Sequence, residues 1–354
     1  MNRMPPLPFQ ADPQTRRIPG VARDGEKQQP VRLGAISFLN TIPVYYPFHL
    51  SVQTDSQGLS QIETLPVDTD LTYAPPSSLN EMMLQGELDV SPVSSAFYLR
   101  HQDQFELLSD LSVSSFGSVD SVILLSKLPF GPRLLELESI GVPDSSETSI
   151  ALLTHLLLAE LGEEALASRL ASGWLQLYPA HAHQEALKAH QAILMIGDDA
   201  LRRVQESALR SGQKSEPDYF TYDLATLWQE KTGLPFVFAV WVAQKDWAMG
   251  NSETLQALNT FLSEARSRFF AESQLLQNGI DLAKQSSDLS EAALRHYFCE
   301  SLDYQLQPEH LKALSRFGDI INTLDQKGYE VSLRKTTGIS IFKHALQPEN
   351  ALRS

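Results

Sequence analysis

The stretch VRLGAISFLNT at residues 31–41, followed at residues 75–100 by PPSSLNEMMLQGELDVSPVSSAFYLR, decides the fold. Residues 31–38 are a short apolar run with one glycine, the pattern of a buried strand. The run ends at Leu39, Asn40 and Thr41, and Pro43 stops it. Residues 75–84 read as a helix with Leu79, Met82 and Met83 on one face. Ser78 serves as its N-cap, Glu81 closes a capping box, and Gly86 takes the C′ position. Residues 88–93 are a second strand, after which Ser94 and Ser95 cap a helix running through Leu99. Strands alternating with helices predict an α/β protein with largely parallel sheets.

The same signals extend outward. SVILLS at residues 121–126, AILMI at 192–196 and LPFVFAVWV at 234–242 read as strands. Residues 145–161 are a strongly apolar helix with Ser and Thr in its first turn. From residue 252 to near residue 325 the chain is mostly helical, with Leu255, Leu258, Phe261 and Leu262 in helical register. Residues 45–66 have poor periodicity, and residues 331–354 remain unassigned. Two long apolar strands, near residues 121 and 238, bracket the middle of the chain. That arrangement suits two lobes joined by two crossings: residues 31–119 with 240–330 form the first, and residues 120–239 the second.

Composition narrows the class. A chain of 354 residues is long enough for two domains of roughly 100–200 residues each. A net charge of −15 argues against nucleic acid, whose recognition needs clustered Lys and Arg. Cys299 is the one cysteine, so there is no intrachain disulfide and no CxxC metal knuckle. Residues 1–30 are rich in Pro, Arg and Gln and read as a tail without structure. They hold no apolar stretch of about 7–15 residues for a signal peptide, and no apolar segment follows Arg16-Arg17 as a twin-arginine signal requires. No run of ~18 apolar residues suggests a membrane span. The expectation is a cytoplasmic protein with a small-molecule ligand, no nucleic-acid or membrane partner, and an oligomeric state left open.

No GxGxxG, Walker A, HExxH or GxSxG pattern is present. His181, His183 and His190 lie together, but no Asp or Glu of metal-site spacing joins them, and a solvated helix explains them. His155 and His296 read as core or surface histidines. The clearer signal is a set of small polar groups at element boundaries: Asn40, the pair Ser94 and Ser95, Ser121, the pair Thr148 and Ser149, and Asp198. In open α/β sheets ligands bind at the carboxyl ends of strands, and helix N-termini attract carboxylates. Two such helix starts could clamp a small dicarboxylate without any arginine. Simple helix capping accounts for Ser94, Ser95 and Ser146 equally well.

Several blocks together resemble a known family. GAISFLNTIPVYYPF at 34–48, GSVDSVILLS at 117–126, SSETSIALLTHLLL at 145–158, AILMIGDDAL at 192–201 and YDLATLWQEKTGLPFVFAVW at 222–241 are similar, in order, to the chorismate dehydratases of the futalosine route to menaquinone. PSSLNEMMLQGELDVSPVSSAFYL at 76–99 and HYFCESLDYQLQPEHLKAL at 296–314 add to the likeness. Ser118 stands where the family usually has Pro, residues 46–75 are long, and residues 1–30 are extra. The resemblance implies a two-lobed periplasmic-binding-protein-like fold of type II with two hinge crossings. It implies a carbon–oxygen lyase, a hydro-lyase that converts chorismate to 3-[(1-carboxyvinyl)oxy]benzoate without cofactor or metal. Asn40 and Ser121 are the residues it assigns to catalysis. Thr148 and Ser149, with Ser94 and Ser95 as second choices, are those it assigns to substrate; Asp198 joins this set either as a base or as a residue that only holds the lobe together. The rival classes are a solute-binding or sensor protein on the same fold, and the later pathway enzyme acting on dehypoxanthine futalosine.

Overall fold

A computed structural model describes residues 14–20, 29–50, 65–210 and 219–329. The chain begins with β1 (Gln14–Ile18), β2 (Val31–Ile36), α1 (Ile42–Leu50), β3 (Thr69–Ala74), α2 (Pro76–Leu84), β4 (Val90–Ser94), α3 (Ser95–His101) and β5 (Phe105–Ser115). It crosses to β6 (Val122–Ser126), β7 (Ile140–Pro143), α4 (Glu147–Leu161), α5 (Glu163–Ala171), β8 (Leu175–Tyr178), α6 (His183–Ala189), β9 (Ala192–Ile196), α7 (Gly197–Arg210), β10 (Phe220–Asp223) and α8 (Leu224–Thr232). It returns through β11 (Phe236–Gln244) to α9 (Lys245–Gly250), α10 (Ser252–Ala271), α11 (Ser273–Ser286), α12 (Glu291–His296), one π-helical turn (Tyr297–Ser301) and α13 (Pro308–Gln326).

The two sheets define two lobes. The first has the order β1-β3-β2-β4-β11-β5 and the second β10-β6-β9-β7-β8. Their centres are parallel, β2 with β3 and β4, and β7 with β8 and β9. The expected largely parallel sheets are corrected here. β11 runs antiparallel to both β4 and β5, and β6 antiparallel to β9 and β10. The reason is topological: β6 and β11 arrive from the opposite lobe, so no crossover helix sets them parallel to their neighbours. The return crossing also falls earlier than expected. β11 is hydrogen-bonded between β4 and β5 from Phe236 onward, so a boundary at 239/240 would cut one strand.

Three local expectations change. Residues 14–18, placed in the unstructured tail, form edge strand β1. There Ile18 is buried, Thr15 bonds Thr72 at 2.8 Å, and Arg17 pairs with Asp68 and Asp70 at 2.8 and 3.1 Å. Residues 1–13 and 21–28 lie outside the described residues, as do 330–354. Pro43 does not stop the strand, which ends at Ile36; it stands in the first turn of α1, where its missing N–H costs little. Helix α2 starts at Pro76 after Pro75 as N-cap, two residues before the expected Ser78 cap, for the same reason.

The site is set by how these pieces are pinned. Tyr45 of α1 donates to the Gly34 carbonyl at 2.7 Å and accepts Trp241 Nε1–H from β11 at 2.9 Å, fixing the helix that follows Asn40. Across the lobes, Ala96 N–H donates to Thr148 Oγ1 at 2.9 Å and Arg100 pairs with Glu147. Among the described residues, no helix is long and apolar enough to cross a membrane.

Candidate active site

A cavity of about 70 Å³ lies between the lobes, at the ends of β2, β4 and β9 and beside β5, β6 and β11. The first lobe contributes Phe38, Asn40, Ser94 and Phe238 to its wall, and the second contributes Ser121, Ser146, Thr148, Ser149 and Gly197. Five of the residues singled out from sequence therefore meet in one place: Asn40, Ser94, Ser121, Thr148 and Ser149. The aromatic and aliphatic part of the wall, Phe38, Phe238, Val113 and Val119, carried no mark in the sequence beyond strand hydrophobicity.

Asn40 lies in a 3-10 turn, Leu39–Thr41, that joins β2 to α1. Thr41 ties that turn down by donating to the Ile36 carbonyl at 2.8 Å and to Phe38 O at 3.1 Å. Leu39 N–H donates across the cleft to Asp198 Oδ1 at 3.3 Å. The Asn40 Oδ1 is buried in the cavity wall and has no hydrogen-bond partner. An unpaired buried amide oxygen is disfavoured by about 1–3 kcal/mol, so its persistence at a cavity surface marks a place for a ligand donor.

The opposite wall is built from hydroxyls that keep a proton to give. Ser146 caps α4 by accepting Ser149 N–H at 3.4 Å and donates its own hydroxyl to Ser149 Oγ at 2.7 Å. Thr148 Oγ1 accepts Ala96 N–H. Each hydroxyl has one donor and two lone pairs, so Thr148 and Ser149 act as acceptors here and retain their O–H for the cavity. The α4 N-terminus adds its dipole, which favours a carboxylate. Ser121 precedes β6, its carbonyl accepting Gly197 N–H at 2.7 Å. Gly197 has a φ of 65° and stands 3.4 Å from the Phe38 ring measured from where a Cβ would be, so a side chain there would be strained and would press on that ring.

Two expected ligands fall elsewhere. Ser95 does not line the cavity; its hydroxyl donates to the β11 carbonyls of Val237 and, at 3.1 Å, Phe238. Nor do Ser94 and Ser95 cap α3: no side-chain cap bond is made, and Ser94 Oγ accepts instead from Asn80 Nδ2 at 3.1 Å. Asp198 sits in the first turn of α7 behind the cavity wall. Burial pushes its carboxyl up to about 7, against the Leu39 N–H that lowers it; Asp199 raises it further and Arg202 opposes. His155 is held down at about 4 by burial, with Arg316 and Lys231 adding to the effect, which fits a neutral histidine against Trp228 rather than a base at this site. No group of three or more His, Cys, Asp or Glu side chains is placed to hold a metal ion among the described residues.

Two α/β lobes with a cavity between them, its mostly apolar wall carrying hydroxyls and one amide, define a fold of the periplasmic-binding type. Solved structures agree: a protein from Archaeoglobus fulgidus matches at a TM-score of 0.58 and 12% identity, over 85% of this chain and all of its own 100%. The alkanesulfonate-binding protein SsuA of Xanthomonas axonopodis pv. citri, bound to MOPS, matches at 0.54 and 16% identity, over 85% of this chain and 95% of that one. At such identities the likeness concerns the fold. A sequence model described as menaquinone biosynthesis matches residues 31–322, and the chain belongs to that menaquinone-biosynthesis family. A curated relative, the chorismate dehydratase of Thermus thermophilus, is 37% identical over 182 residues. That alignment covers 49% of this chain and 61% of the relative's length.

Proposed function

We propose that this protein is a chorismate dehydratase, a carbon–oxygen lyase that removes water from chorismate to leave 3-[(1-carboxyvinyl)oxy]benzoate, acting in the cytoplasm. The observation that carries this proposal is one interlobe cavity lined by Asn40, whose buried Oδ1 has no hydrogen-bond partner, together with Ser121, Thr148 and Ser149. The family membership and the named relative support it. In the reaction the ring loses its C4 hydroxyl and C3 hydrogen, and aromatisation drives the step. Thr148 and Ser149, at the α4 N-terminus, hold one carboxylate. Asn40 and Ser121 orient the enolpyruvyl arm and the departing hydroxyl from opposite walls.

Neither an amide nor an alcohol is a strong base. The substrate's own enolpyruvyl carboxylate takes the C3 proton, and the protein supplies orientation. Asp198 supports this role for the substrate by its position: it lies behind the wall and holds Leu39, the residue before Asn40. A cavity of about 70 Å³ holds a few waters, so chorismate enters when the lobes part and the interlobe contacts re-form around it.

Incubating the purified protein with chorismate, with neither metal nor cofactor added, tests the proposal directly. A product lighter by one water, abolished in Asn40→Ala, is the expected result. Unchanged chorismate that nonetheless raises the melting temperature would make the protein a binder of chorismate and not a lyase. An inactive Asp198→Asn with unaltered substrate affinity would move the base from substrate to protein.

A further inference from the structure

Helix α2 buries Leu79, Asn80 and Met83. Two of these are apolar, and the other is an amide with donors and acceptors to satisfy. A buried polar group is costly unless it is hydrogen-bonded, so the partners of Asn80 account for its place. Both ends of the amide go to one residue, Ser94, the last of β4. Ser94 N–H donates to Asn80 Oδ1 at 3.3 Å, and Asn80 Nδ2 donates to Ser94 Oγ at 3.1 Å. Ser94 lines the interlobe cavity, and Asn80 stands behind it.

The pair of bonds fixes which way each group points. A backbone N–H can only donate, so the end of Asn80 that meets it is the oxygen and the other end is the NH2. An NH2 can only donate, so Ser94 Oγ is the acceptor of the second bond. The Ser94 hydroxyl therefore keeps its own proton, and that proton is turned away from Asn80. Among the described residues, Asn80 is the one hydrogen-bond partner of Ser94 Oγ, and the space left to the proton is the cavity that Ser94 lines. Ser95, the next residue, shows the alternative: its proton goes to the β11 carbonyls of Val237 and Phe238, inside the sheet.

We infer that Asn80 is a positioning residue: by donating to Ser94 Oγ it holds the Ser94 O–H aimed into the cavity, where the hydroxyl donates to an acceptor oxygen of the substrate. The second-lobe wall uses the same device, since Thr148 and Ser149 are also engaged as acceptors and keep their protons. The first-lobe wall then offers a donor at Ser94 beside the acceptor at Asn40 Oδ1. The chemistry of the amide is specific to this task. A leucine at position 80 would fill the space and leave the hydroxyl unheld. A carboxylate there would accept from Ser94 and draw the proton out of the cavity.

This inference rests on the proposed function, and the test separates the two. With chorismate as substrate, Ser94→Ala is expected to raise KM about 10-fold while kcat stays within about 3-fold, as for a lost bond to bound substrate. Asn80→Leu, close in size and uncharged, is expected to raise KM about 5-fold or more. In the Ser94→Ala background the same change is expected to add less than about 2-fold, because the asparagine acts through the serine hydroxyl. Asn80→Leu lowers the melting temperature in both backgrounds, since Ser94 N–H loses its acceptor either way. A merely structural role would show that fall without the coupling in KM. A normal KM in either single variant, or losses that multiply, overturn the inference. If the wild-type protein turns over no chorismate, the proposed function fails by itself. In that case, or if Asn80→Leu does not fold, the proton is read in the wild-type protein by neutron diffraction after deuterium exchange. The deuteron on Ser94 Oγ must lie toward the cavity, and one directed at Asn80 or at a main-chain carbonyl overturns the inference.

Discussion

The two walls of the cavity start from the same sequence signal and use it differently. Each presents a helix that begins with small hydroxyl residues just beyond a strand, Ser94-Ser95 for α3 and Ser146 to Ser149 for α4. At α4 the capping is internal: Ser146 serves Ser149, and the Thr148 and Ser149 hydroxyls, engaged as acceptors, keep their own protons to donate. At α3 nothing caps the helix from its own side chains. Ser95 is bonded to β11, Ser94 to Asn80, and the free Ala96 N–H is handed to Thr148 of the other lobe. Both helix starts share the Ala96–Thr148 contact, but α4 lines the cavity with Ser146, Thr148 and Ser149, whereas α3 contributes only Ser94. What separates them is the neighbour each meets, β11 or open cavity, and tertiary structure decides that.

The comparison predicts effects of very different size. The largest belongs to the one unpaired group on the first-lobe wall. Asn40→Ala is expected to reduce kcat by at least about 10²-fold, the scale of a lost orienting donor or acceptor in a transition state. Its melting temperature should hold or rise slightly, since the Asn40 oxygen has no internal bond to lose. A large drop in stability with proportionate loss of activity would instead make Asn40 a scaffold residue. Next comes Thr148→Val, which removes a donor to the substrate and the acceptor of Ala96 N–H together. KM is expected to rise about 10-fold or more, matching about 1.5–3 kcal/mol for a hydrogen bond to a charged group. A normal KM would leave α4 as a lobe contact like α3 and remove the asymmetry between the walls.

Much of this architecture was legible beforehand, and the exceptions have physical causes. The cores of β2, β6 and β9 follow from short apolar runs, and Gly86 does take a left-handed conformation after α2, with a φ of 69°. Helix α1 was hidden because Pro43 looks the same ending a strand and opening a helix. The edge strand β1 was hidden because residues 14–18 lie in a Pro-, Arg- and Gln-rich stretch, whereas Arg17 faces two aspartates beside β3. At the site, Asn40, Ser94, Ser121, Thr148 and Ser149 were marked by their places at strand ends and by family likeness. Ser95, their immediate neighbour, points into the sheet. Ser301 left no local trace, because its partner Asp120 is about 180 residues away in the chain and is brought to it by topology.

The cleft carries a further, pH-dependent difference between its walls. Asp198 belongs to the second lobe and Leu39 to the first, and the carboxyl is raised to about 7 chiefly by burial. A carboxyl with a folded pKa above its unfolded value binds more protons in the native state, so stability falls as pH rises from near 4 to near 7 and then levels off. Asp198→Asn keeps the acceptor for Leu39 and cannot ionise. The variant is expected to approach wild-type stability near pH 5 and exceed it near pH 8, with kcat largely retained. Melting curves that run parallel across this range would mean that the carboxyl titrates normally and that the lobe contact is better hydrated than its packing suggests.

The smallest expected effect is the sharpest check on the opening contrast, because it asks a candidate ligand to do nothing in catalysis. Ser95 donates to the carbonyls of Val237 and Phe238, inside the sheet of the first lobe. Ser95→Ala should cost about 1 kcal/mol, the net worth of an ordinary buried hydrogen bond, and lower the melting temperature by about 2 °C for a chain of this size. Its kcat and KM should stay within about 2-fold of wild type, since the hydroxyl is engaged by β11 and Ser95 does not line the cavity. If KM instead rises as it does for Thr148→Val while stability is unchanged, the α3 start turns toward the ligand when the lobes part. Both helix starts would then clamp the substrate as a symmetrical pair, and the distinction between the two walls would not extend to the substrate complex.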